Sequence, residues 1–565
     1  MTLRDDIQTA YEKYKNKAYI EAEIDIRNLL AKHPAEHDVL RLGALTALAI
    51  NQVVTAQTRM SQACANREMN AEMYNSWGNI YKASEEWGQA ENAYEKAMEL
   101  DPGFVPVRHN LIDLLVLSGQ ADRAVAEIDR QAKAEEMNDF LREAKVMALK
   151  DLGEYEQAWD IAMAINSGYR TDKIIFLKTQ LLFYAGRYEE MREMASLIPS
   201  GSNFAARAVA LVVNAYGMKN DQTALKAVIR EAVDKDDTLP DMFAVARQSL
   251  NRAGLDSLAD KVFQKGQSKF GRGTSVSVSE EANVLLRSGD YTGAVNLYQQ
   301  ALSLNPGNLD VMLNYANACI PAKAYDRCQS LLHSALQQAP NNQFILALAA
   351  TLYRARGGDY QQLYDYPKFV QSYDLSPPED YASIEDFNAA LKIRLDEYHT
   401  FQSAPLNQTL RGGTQTNINL ALVDDPIIRQ FFMMLDGPIK SYMKHIGHDA
   451  SHPFLRRNTG RYRFNGAWSV KLSPNGHHVN HVHPKGWISS SYYVDVPKVV
   501  DDASEKQGWI KFGEPGIEGV NLPAEKFIKP EGGRLVLFPS YMWHGTIPFS
   551  GENSRLTLPF DVVPA

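Results

Sequence analysis

The chain has 565 residues, of which 45% are hydrophobic and 22% charged, and it is too long for one hydrophobic core because cores stop growing at about 250–300 residues. Its 59 basic and 68 acidic residues give a net charge of −9, and no run of Lys and Arg is long enough to follow a phosphate backbone, so we expect no nucleic-acid partner. No stretch approaches the roughly 20 apolar residues that cross a bilayer, and three cysteines without CxxC spacing exclude a disulfide framework, so we expect a multidomain, cytoplasmic protein without a membrane partner.

A repeat of 34 residues fills the first two thirds of the chain. Residues that are mostly small recur at this spacing, without drift in the first five copies and within a residue or so in the rest: Ala22, Ala56, Ala90, Ala124, Ala158, Met191, Ala224, Ala259, Ala294 and Cys328. In the best copy, AEMYNSWGNIYKASEEWGQAENAYEKAMELDP, Trp77 and Gly78 share one helical face and Tyr94 lies on the next. Small residues let two antiparallel helices approach closely, and Pro102 closes the unit because proline cannot continue a helix.

This pattern closely resembles the tetratricopeptide repeat, and a second copy, SGDYTGAVNLYQQALSLNP, repeats it. The resemblance implies an all-α solenoid of about ten repeats over residues 1–355. Such a solenoid offers a groove suited to an extended chain, so we expect a peptide or protein substrate to bind there. The oligomeric state cannot be read from the sequence.

The repeat phase is lost near residue 355, and Pro377 and Pro378 then forbid helix continuation. We therefore expect a connecting segment over residues 356–380 and a second domain over residues 381–565. Apolar spacing predicts a helix from Ile384 to Tyr398, and Asp425 followed by Pro426 predicts the start of another helix that runs through IIRQFFMMLDGPIKSYMKHIG. A polar, glycine-bearing loop is expected between the two helices.

Short β runs without intervening helices fill the rest of the second domain: AWSVKL, WISSSYYVDV, GWIKFG, GRLVLFPS and SRLTLPFDVV. This arrangement is typical of a barrel or jelly roll, with the two helices packed outside it.

Histidines concentrate in this second domain. His481 and His483, in HHVNHVHP, are two residues apart and would share one face of a strand, so both could reach one metal ion. His544 lies at the end of another predicted strand, and Arg555 and Thr557 follow and also share a face.

The order His-x-His, distal His and Arg-x-Thr resembles the iron- and 2-oxoglutarate-dependent oxygenases, in particular a bacterial branch often fused to tetratricopeptide repeats. The resemblance implies a double-stranded β-helix that uses Fe(II), 2-oxoglutarate and O₂, with His481, His483 and His544 as catalytic metal ligands. Arg555 and Thr557 would hold the far carboxylate of 2-oxoglutarate, since Arg can give it two parallel hydrogen bonds.

One position departs from the family pattern, which usually has Asp or Glu where His483 stands. The residues therefore leave three arrangements open: three histidines, two histidines plus water, or a set that uses His478 with a carboxylate from elsewhere. For His477 and His452 we expect no role at the metal. Tyr492 and Tyr493 are expected to form the wall and core of the barrel, although one of them could face the cofactor.

Three functions fit these features. The first is a 2-oxoglutarate-dependent dioxygenase, a hydroxylase that acts on a peptide or protein brought by the solenoid. The second is a non-catalytic scaffold with a degenerate oxygenase domain, and the third is a three-histidine dioxygenase of cupin type.

Overall fold

The computed structural model describes residues 2–65, 68–134, 136–406 and 408–565. The chain forms two compact units. The first comprises Met1–Ala148, Pro306–Leu313 and Ser330–Asn342, and the second comprises Leu149–Asn305, Asn314–Gln329 and Gln343–Ala565. None of the helices in the described ranges is both long and apolar enough to cross a membrane.

Helices that alternate in pairs fill the repeat region. Their bounds are α1 (Leu3–Lys15), α2 (Tyr19–Lys32), α3 (His37–Ala49), α4 (Val53–Cys64), α5 (Ala71–Ala83), α6 (Trp87–Leu100), α7 (Val105–Leu117), α8 (Ala121–Ala134), α9 (Asp139–Asp151), α10 (Tyr155–Met163), α11 (Thr171–Tyr184), α12 (Tyr188–Ser196), α13 (Ala205–Met218), α14 (Gln222–Val233), α15 (Pro240–Arg252), α16 (Asp256–Phe270), α17 (Ser275–Arg287), α18 (Tyr291–Leu304), α19 (Leu309–Cys319), α20 (Tyr325–Gln338) and α21 (Gln343–Ala355).

The ten recurring residues lie on the ten even-numbered helices from α2 to α20, the second helix of each pair. Nine of them are fully buried, and Ala224 is partly buried. The predicted repeat architecture is therefore confirmed, and helix α21 follows the tenth pair.

Gly78 shows why the repeat needs a small residue where its two helices approach each other closely. A Cβ atom at this position would lie 2.3 Å from Cε1 of Tyr94, which is fully buried on α6. The Tyr94 hydroxyl donates to Oδ1 of Asn79 at 2.7 Å and so anchors α6 to α5. The two helices of this repeat are thus locked by one aromatic ring that occupies the space left by glycine.

The C-terminal region is built from an antiparallel β domain with helices around it. Its helices are α22 (Tyr366–Phe369), α23 (Ile384–Tyr398), α24 (Pro426–Met434) and α25 (Asp436–Ile446), and its strands are β1 (Gln371–Asp374), β2 (Leu410–Gln415), β3 (Tyr462–Ala467), β4 (Val470–His478), β5 (Ile488–Asp495), β6 (Ile510–Phe512), β7 (Lys526–Ile528), β8 (Arg534–Pro539), β9 (His544–Thr546), β10 (Arg555–Thr557) and β11 (Phe560–Pro564).

The strands form two sheets, as expected for a jelly roll. One has the order β1-β8-β5-β10-β4-β2, with β11 paired to β3 and β5, and the other has the order β7-β6-β9. The predicted helix Ile384–Tyr398 is present with the same bounds, while the segment expected to be one helix after Asp425 is divided into α24 and α25. Asp425 caps α24 by accepting from the backbone N–H groups of Ile427 and Ile428.

Two segments differ from the sequence-based expectation. Residues 356–380, expected to connect two domains, contribute α22 and also β1, which pairs with β8 from Gln371↔Leu537 to Asp374↔Arg534. The loop expected between α23 and α24 contains β2, which pairs with β4. Both strands are short and polar, so alternation alone did not reveal them.

Candidate metal centre

His481 and His544 face each other across an antiparallel bridge. The backbone N–H of His481 donates to the His544 carbonyl at 2.8 Å, and the N–H of His544 donates back at 3.0 Å. Directly opposed residues place their side chains on the same face, and the two rings have centroids 4.2 Å apart. The strand predicted around His481 is reduced to this bridge, and His544 begins β9 rather than ending a strand.

His483, two residues after His481, is the third histidine of the group. Its N–H donates to the carbonyl of Ser540 at 2.9 Å. Its ring centroid lies 5.2 Å from that of His481 and 5.1 Å from that of His544. One ring nitrogen from each histidine lies within 4.8 Å of the other two, a grouping that could hold a metal ion.

Each of the three rings is oriented by a hydrogen bond at Nδ1. His481 and His544 pair through Nδ1 with the carbonyls of Val479 at 2.8 Å and Met542 at 2.9 Å. His483 pairs with both carboxylate oxygens of Asp561, at 2.7 and 2.8 Å. Because carbonyl and carboxylate oxygens only accept, Nδ1 carries the proton in each ring and the lone pair of Nε2 is free to bind a metal.

A polar network supports Asp561 on β11. The hydroxyl of Ser489 donates to Oδ1 of Asp561 at 2.7 Å and also lies 2.8 Å from the Ser540 hydroxyl. All three residues are buried, and Ser540 is also the residue whose carbonyl holds the His483 backbone. The network therefore fixes both the ring and the backbone of His483.

Burial keeps the imidazoles of His481 and His544 neutral. It lowers the pKa of His481 to about 3, an effect that the neighbouring His483 increases, and it holds the pKa of His544 well below its ordinary value. The neutral ring is the form that binds a metal, so near pH 7 these two residues need not release a proton first.

The other histidines lie outside this group. His478 is close, with its ring centroid 5.7 Å from that of His481, but its Nδ1 lies 3.2 Å from the Thr409 hydroxyl. His477 reaches only the Asn475 carbonyl at 3.5 Å, and Nε2 of His452 lies 2.9 Å from the carbonyl of Gln362.

A cavity of about 450 Å³ opens in front of the three histidines. Arg555 and Thr557 line it together with His481, His483 and His544, so the structure brings all five sequence-predicted site residues to one cavity. Apolar side chains also line it, including Ile510 and Phe538, and the Phe538 ring lies 4.6 Å from that of His544. Such walls limit the access of water to the metal side of the cavity.

Arg555 is buried with part of its hydrogen-bonding capacity unused. Its Nη1 donates to the Gly508 carbonyl, while Nε has no partner, and the guanidinium carbon lies 5.6 Å from the centroid of the Tyr493 ring. The Tyr493 hydroxyl is also buried without a hydrogen-bond partner. Burial lowers the pKa of Arg555, and the facing Tyr493 opposes this shift. A buried arginine with an unpaired N–H at a cavity wall fits an anionic ligand such as a carboxylate.

The two adjacent tyrosines on β5 have different environments. Tyr492 donates to Oδ1 of Asn388 on α23 at 2.7 Å and forms part of the core against that helix. Tyr493 lies beside Arg555. It is also the residue on β5 that pairs with Thr557 on the neighbouring strand β10. Tyr493 is therefore the tyrosine next to the two β10 residues Arg555 and Thr557, but neither Tyr492 nor Tyr493 lines the metal cavity.

Helix α21 contacts the two chain segments that carry the metal-site histidines. The N–H of Gln343, its first residue, donates to the carbonyl of Pro484 at 3.0 Å, and the indole N–H of Trp543 donates to the Thr351 hydroxyl at 3.0 Å. Pro484 follows His483, and Trp543 precedes His544. The last solenoid helix thus holds the neighbours of two of the three histidines.

Asp561 and Ser489 were not found by sequence reasoning. The available signal was weak: Asp561 is an acidic residue inside the apolar run LTLPFDVV, where an unpaired charge would be costly. Which histidine it would pair with depends on the register between β11 and β5, where Asp561 lies opposite Ser489.

Family models match two parts of the chain. Residues 466–561 match the family described as "Putative 2OG-Fe(II) oxygenase", and residues 82–139 and 285–357 match the tetratricopeptide repeat. No curated protein matches the chain.

Solved structures resemble the chain at low identity. A tetratricopeptide repeat protein from Parabacteroides merdae is 14% identical, with 44% of this chain and 99% of that chain covered and a TM-score of 0.36. The C-terminal part of a TPR repeat-containing protein from Cytophaga hutchinsonii is 14% identical, with coverages of 42% and 98% and a TM-score of 0.31. TM-scores this low carry no argument about overall shape. On these matches, the chain carries tetratricopeptide repeats, and residues 466–561 on its C-terminal side resemble the 2OG-Fe(II) oxygenases.

Proposed function

We propose that this protein is an Fe(II)- and 2-oxoglutarate-dependent oxygenase that hydroxylates a peptide or protein substrate, and that it acts in the cytoplasm. One observation carries the proposal. Three histidines with oriented rings share a cavity with a buried arginine whose Nε is unpaired.

The residues fit the groups that this reaction needs. Three Nε2 atoms would hold the iron on one side and leave the cavity side open to other ligands. Arg555 would bind the far carboxylate of 2-oxoglutarate through its unpaired N–H, with Thr557 as a further donor. When bound, iron and 2-oxoglutarate supply the oxidation, in which O₂ is consumed, CO₂ and succinate are released and one oxygen atom enters a C–H bond of the substrate.

In the reaction the chain's own residues orient the metal ligands and the cosubstrate, and they exclude water from the site. The carbonyls of Val479 and Met542 and the carboxylate of Asp561 hold the imidazoles in the ligand tautomer. The buried cation of Arg555 would limit how far the cosubstrate reaches into the cavity. Phe538 and Ile510 keep that wall apolar, which protects a reactive site from unproductive hydrolysis.

The decisive experiment separates metal binding from cosubstrate binding. Purified protein should bind Fe(II) and 2-oxoglutarate without oxygen and release succinate slowly in air. Arg555→Ala should weaken 2-oxoglutarate binding by about 10–100-fold, the loss expected for charge-assisted hydrogen bonds, with little effect on Mn(II) affinity. Arg555→Lys keeps the positive charge but loses the two parallel N–H donors of the guanidinium, so it should bind 2-oxoglutarate more tightly than Arg555→Ala and more weakly than the parent protein.

Arg429→Ala is a matched control, because Arg429 is exposed on α24 and pairs with Asp424 at the surface. Equal loss of metal and 2-oxoglutarate binding in a folded Arg555→Ala protein would refute the role of Arg555.

A three-histidine dioxygenase that needs no 2-oxo acid remains the second candidate, because the metal group contains no carboxylate. Oxygen consumption by the iron-loaded protein without 2-oxoglutarate would support it. A protein that binds neither iron nor 2-oxoglutarate would instead support the non-catalytic scaffold.

A further inference from the structure

A second, polar cavity lies within the same compact unit as the metal centre. Its volume is about 420 Å³, and we refer to it as the arginine recess. It is lined by Arg252 at the end of α15, by Arg411 on β2 and by residues 402–406. This last segment is fixed to α13, since the Ser403 hydroxyl donates to the Gly217 carbonyl at 2.7 Å and the Leu406 N–H donates to Asn214 at 2.8 Å.

Both arginines are exposed at the recess, and in the part of the chain that the structure describes neither has a carboxylate partner. Nη1 of Arg411 donates only to the carbonyls of Gln408 and Leu410, at 3.0 and 2.9 Å. Partial burial, and then the charge of Arg411, lowers the pKa of Arg252. The two like charges repel each other, and a carboxylate between them would offset that repulsion and could accept paired hydrogen bonds from each guanidinium.

Backbone geometry holds Arg411 at this place. Gly413 has a φ of +144°, and a Cβ atom there would lie 2.2 Å from the carbonyl oxygen of Lys471. The register between β2 and β4 shifts between Arg411 and Gly413. The irregular strand is thus built around glycine and presents Arg411 to the recess.

The recess and the metal cavity share one segment of chain as their wall. Gln408 and Thr409 line the metal cavity, whereas Leu410 and Arg411 line the recess. Leu410 pairs with His478, and the Thr409 hydroxyl lies 3.2 Å from Nδ1 of the same histidine. Thr409 of one cavity and Leu410 of the other are adjacent in sequence, so one extended polypeptide, which rises about 3.3 Å per residue, could contact both cavities.

We propose that the arginine recess binds an acidic side chain of the polypeptide substrate, a few residues from the side chain that enters the metal cavity. This inference rests on the proposed function for the identity of the substrate. The binding itself requires no metal and no turnover, and it can be tested separately.

The test uses the full chain and a fluorescein-labelled hexaglutamate peptide, with hexaglutamine as the uncharged comparison. Fluorescence anisotropy should detect hexaglutamate binding that weakens with salt, and no binding of hexaglutamine. Arg252→Gln and Arg411→Gln should each weaken binding about fivefold or more, and the double variant should abolish it. Arg230→Gln, which removes the same charge from an exposed position on α14 outside the recess, should bind as the parent does.

Three outcomes would overturn the inference: equal binding of hexaglutamine, unchanged affinity in the folded double variant, or full displacement of the peptide by millimolar inorganic phosphate, which would indicate a site for small anions. Arg411→Lys guards against a folding defect, since it keeps the charge and should retain part of the affinity. Peptide binding without any 2-oxoglutarate turnover would refute the proposed function and leave the recess as a polypeptide site.

Discussion

Asp561 accepts a bifurcated hydrogen bond from the Nδ1–H of His483, with the two carboxylate oxygens at 2.7 and 2.8 Å. The family pattern usually has a carboxylate at the position of His483 itself. In this chain the negative charge lies one hydrogen bond behind the ring. A carboxylate in that position fixes the orientation of the imidazole and polarises its ring, so part of the missing ligand charge still reaches the metal side.

Asp561→Asn should therefore weaken metal binding while the fold is retained, because asparagine keeps the shape and loses the charge. Outer partners of ligating histidines typically contribute about 10–100-fold in affinity, and we expect a loss in that range by Mn(II) or Zn(II) titration. Asp502→Asn, at an exposed turn where Asp502 accepts from Ser504, is the control. An unchanged affinity in Asp561→Asn would show that the carboxylate does not act through His483.

His483→Asp tests the same relationship in reverse. An aspartate at position 483 would restore the usual ligand type but would lie beside Asp561, and two close carboxylates resist ionising together. We expect His483→Asp alone to bind Mn(II) more weakly than His483→Asp combined with Asp561→Asn. If the single variant binds at least as tightly as the double variant, Asp561 does not approach the ligand position closely.

Gly78→Ala should destabilise the first compact unit, because the added methyl would meet the Tyr94 ring at 2.3 Å. Overpacking of this kind costs about 1–3 kcal/mol, which denaturant unfolding can measure. Gly88→Ala is the matched control, since a Cβ at Gly88, also on a helix of that repeat, meets nothing within 4 Å. Alanine there should be neutral or slightly stabilising. Equal effects of the two changes would contradict the close approach of α5 and α6.

His399 predicts a pH dependence of stability in the C-terminal domain. Its ring bridges the hydroxyls of Thr414 and Ser469 at 2.8 and 2.9 Å, and burial lowers its pKa from 6.5 to about 4. On acidification, His399 takes up its proton at a higher pH in the unfolded chain than in the folded protein. The stability that the folded protein gains from a neutral His399 is therefore fully present above about pH 6.5 and is lost as pH falls toward 4. The loss between pH 7 and pH 5 should be about 2 kcal/mol.

The measurement compares the metal-free protein with His399→Gln at both pH values. The variant should be less stable at pH 7 and should show a smaller loss on acidification. An equal pH dependence in the two proteins would mean that His399 is protonated in the folded state.

A fragment that begins at residue 381 should not fold, whereas one that begins at residue 343 should show cooperative thermal unfolding by circular dichroism. The shorter fragment lacks β1, which covers the edge of β8, and lacks Thr351, which accepts from Trp543. An unpaired sheet edge and an unsatisfied buried indole N–H both oppose folding. Cooperative unfolding of the fragment 381–565 with intact metal binding would contradict the structural role of α21 and β1.

The sequence by itself determined the repeat architecture, since the 34-residue phase is typical of stacked helix pairs. It also determined the bounds of α23, since the apolar stripe that predicted this helix is local. It also predicted His481, His483, His544, Arg555 and Thr557 as site residues, because their spacing along the chain resembles a family pattern. These features depend on residues that are close in sequence or on the order of motifs along the chain.

The tertiary structure alone decided the partners of those residues. Asp561 is 78 residues from His483, and Thr351 is 192 residues from Trp543. Contacts at such separations depend on strand register and on how the last helix docks, and a shift of one residue would turn each side chain to the opposite face of its strand. For the same reason β1 and β2, polar strands at the two ends of the main sheet order, became visible only through the strands that they pair with.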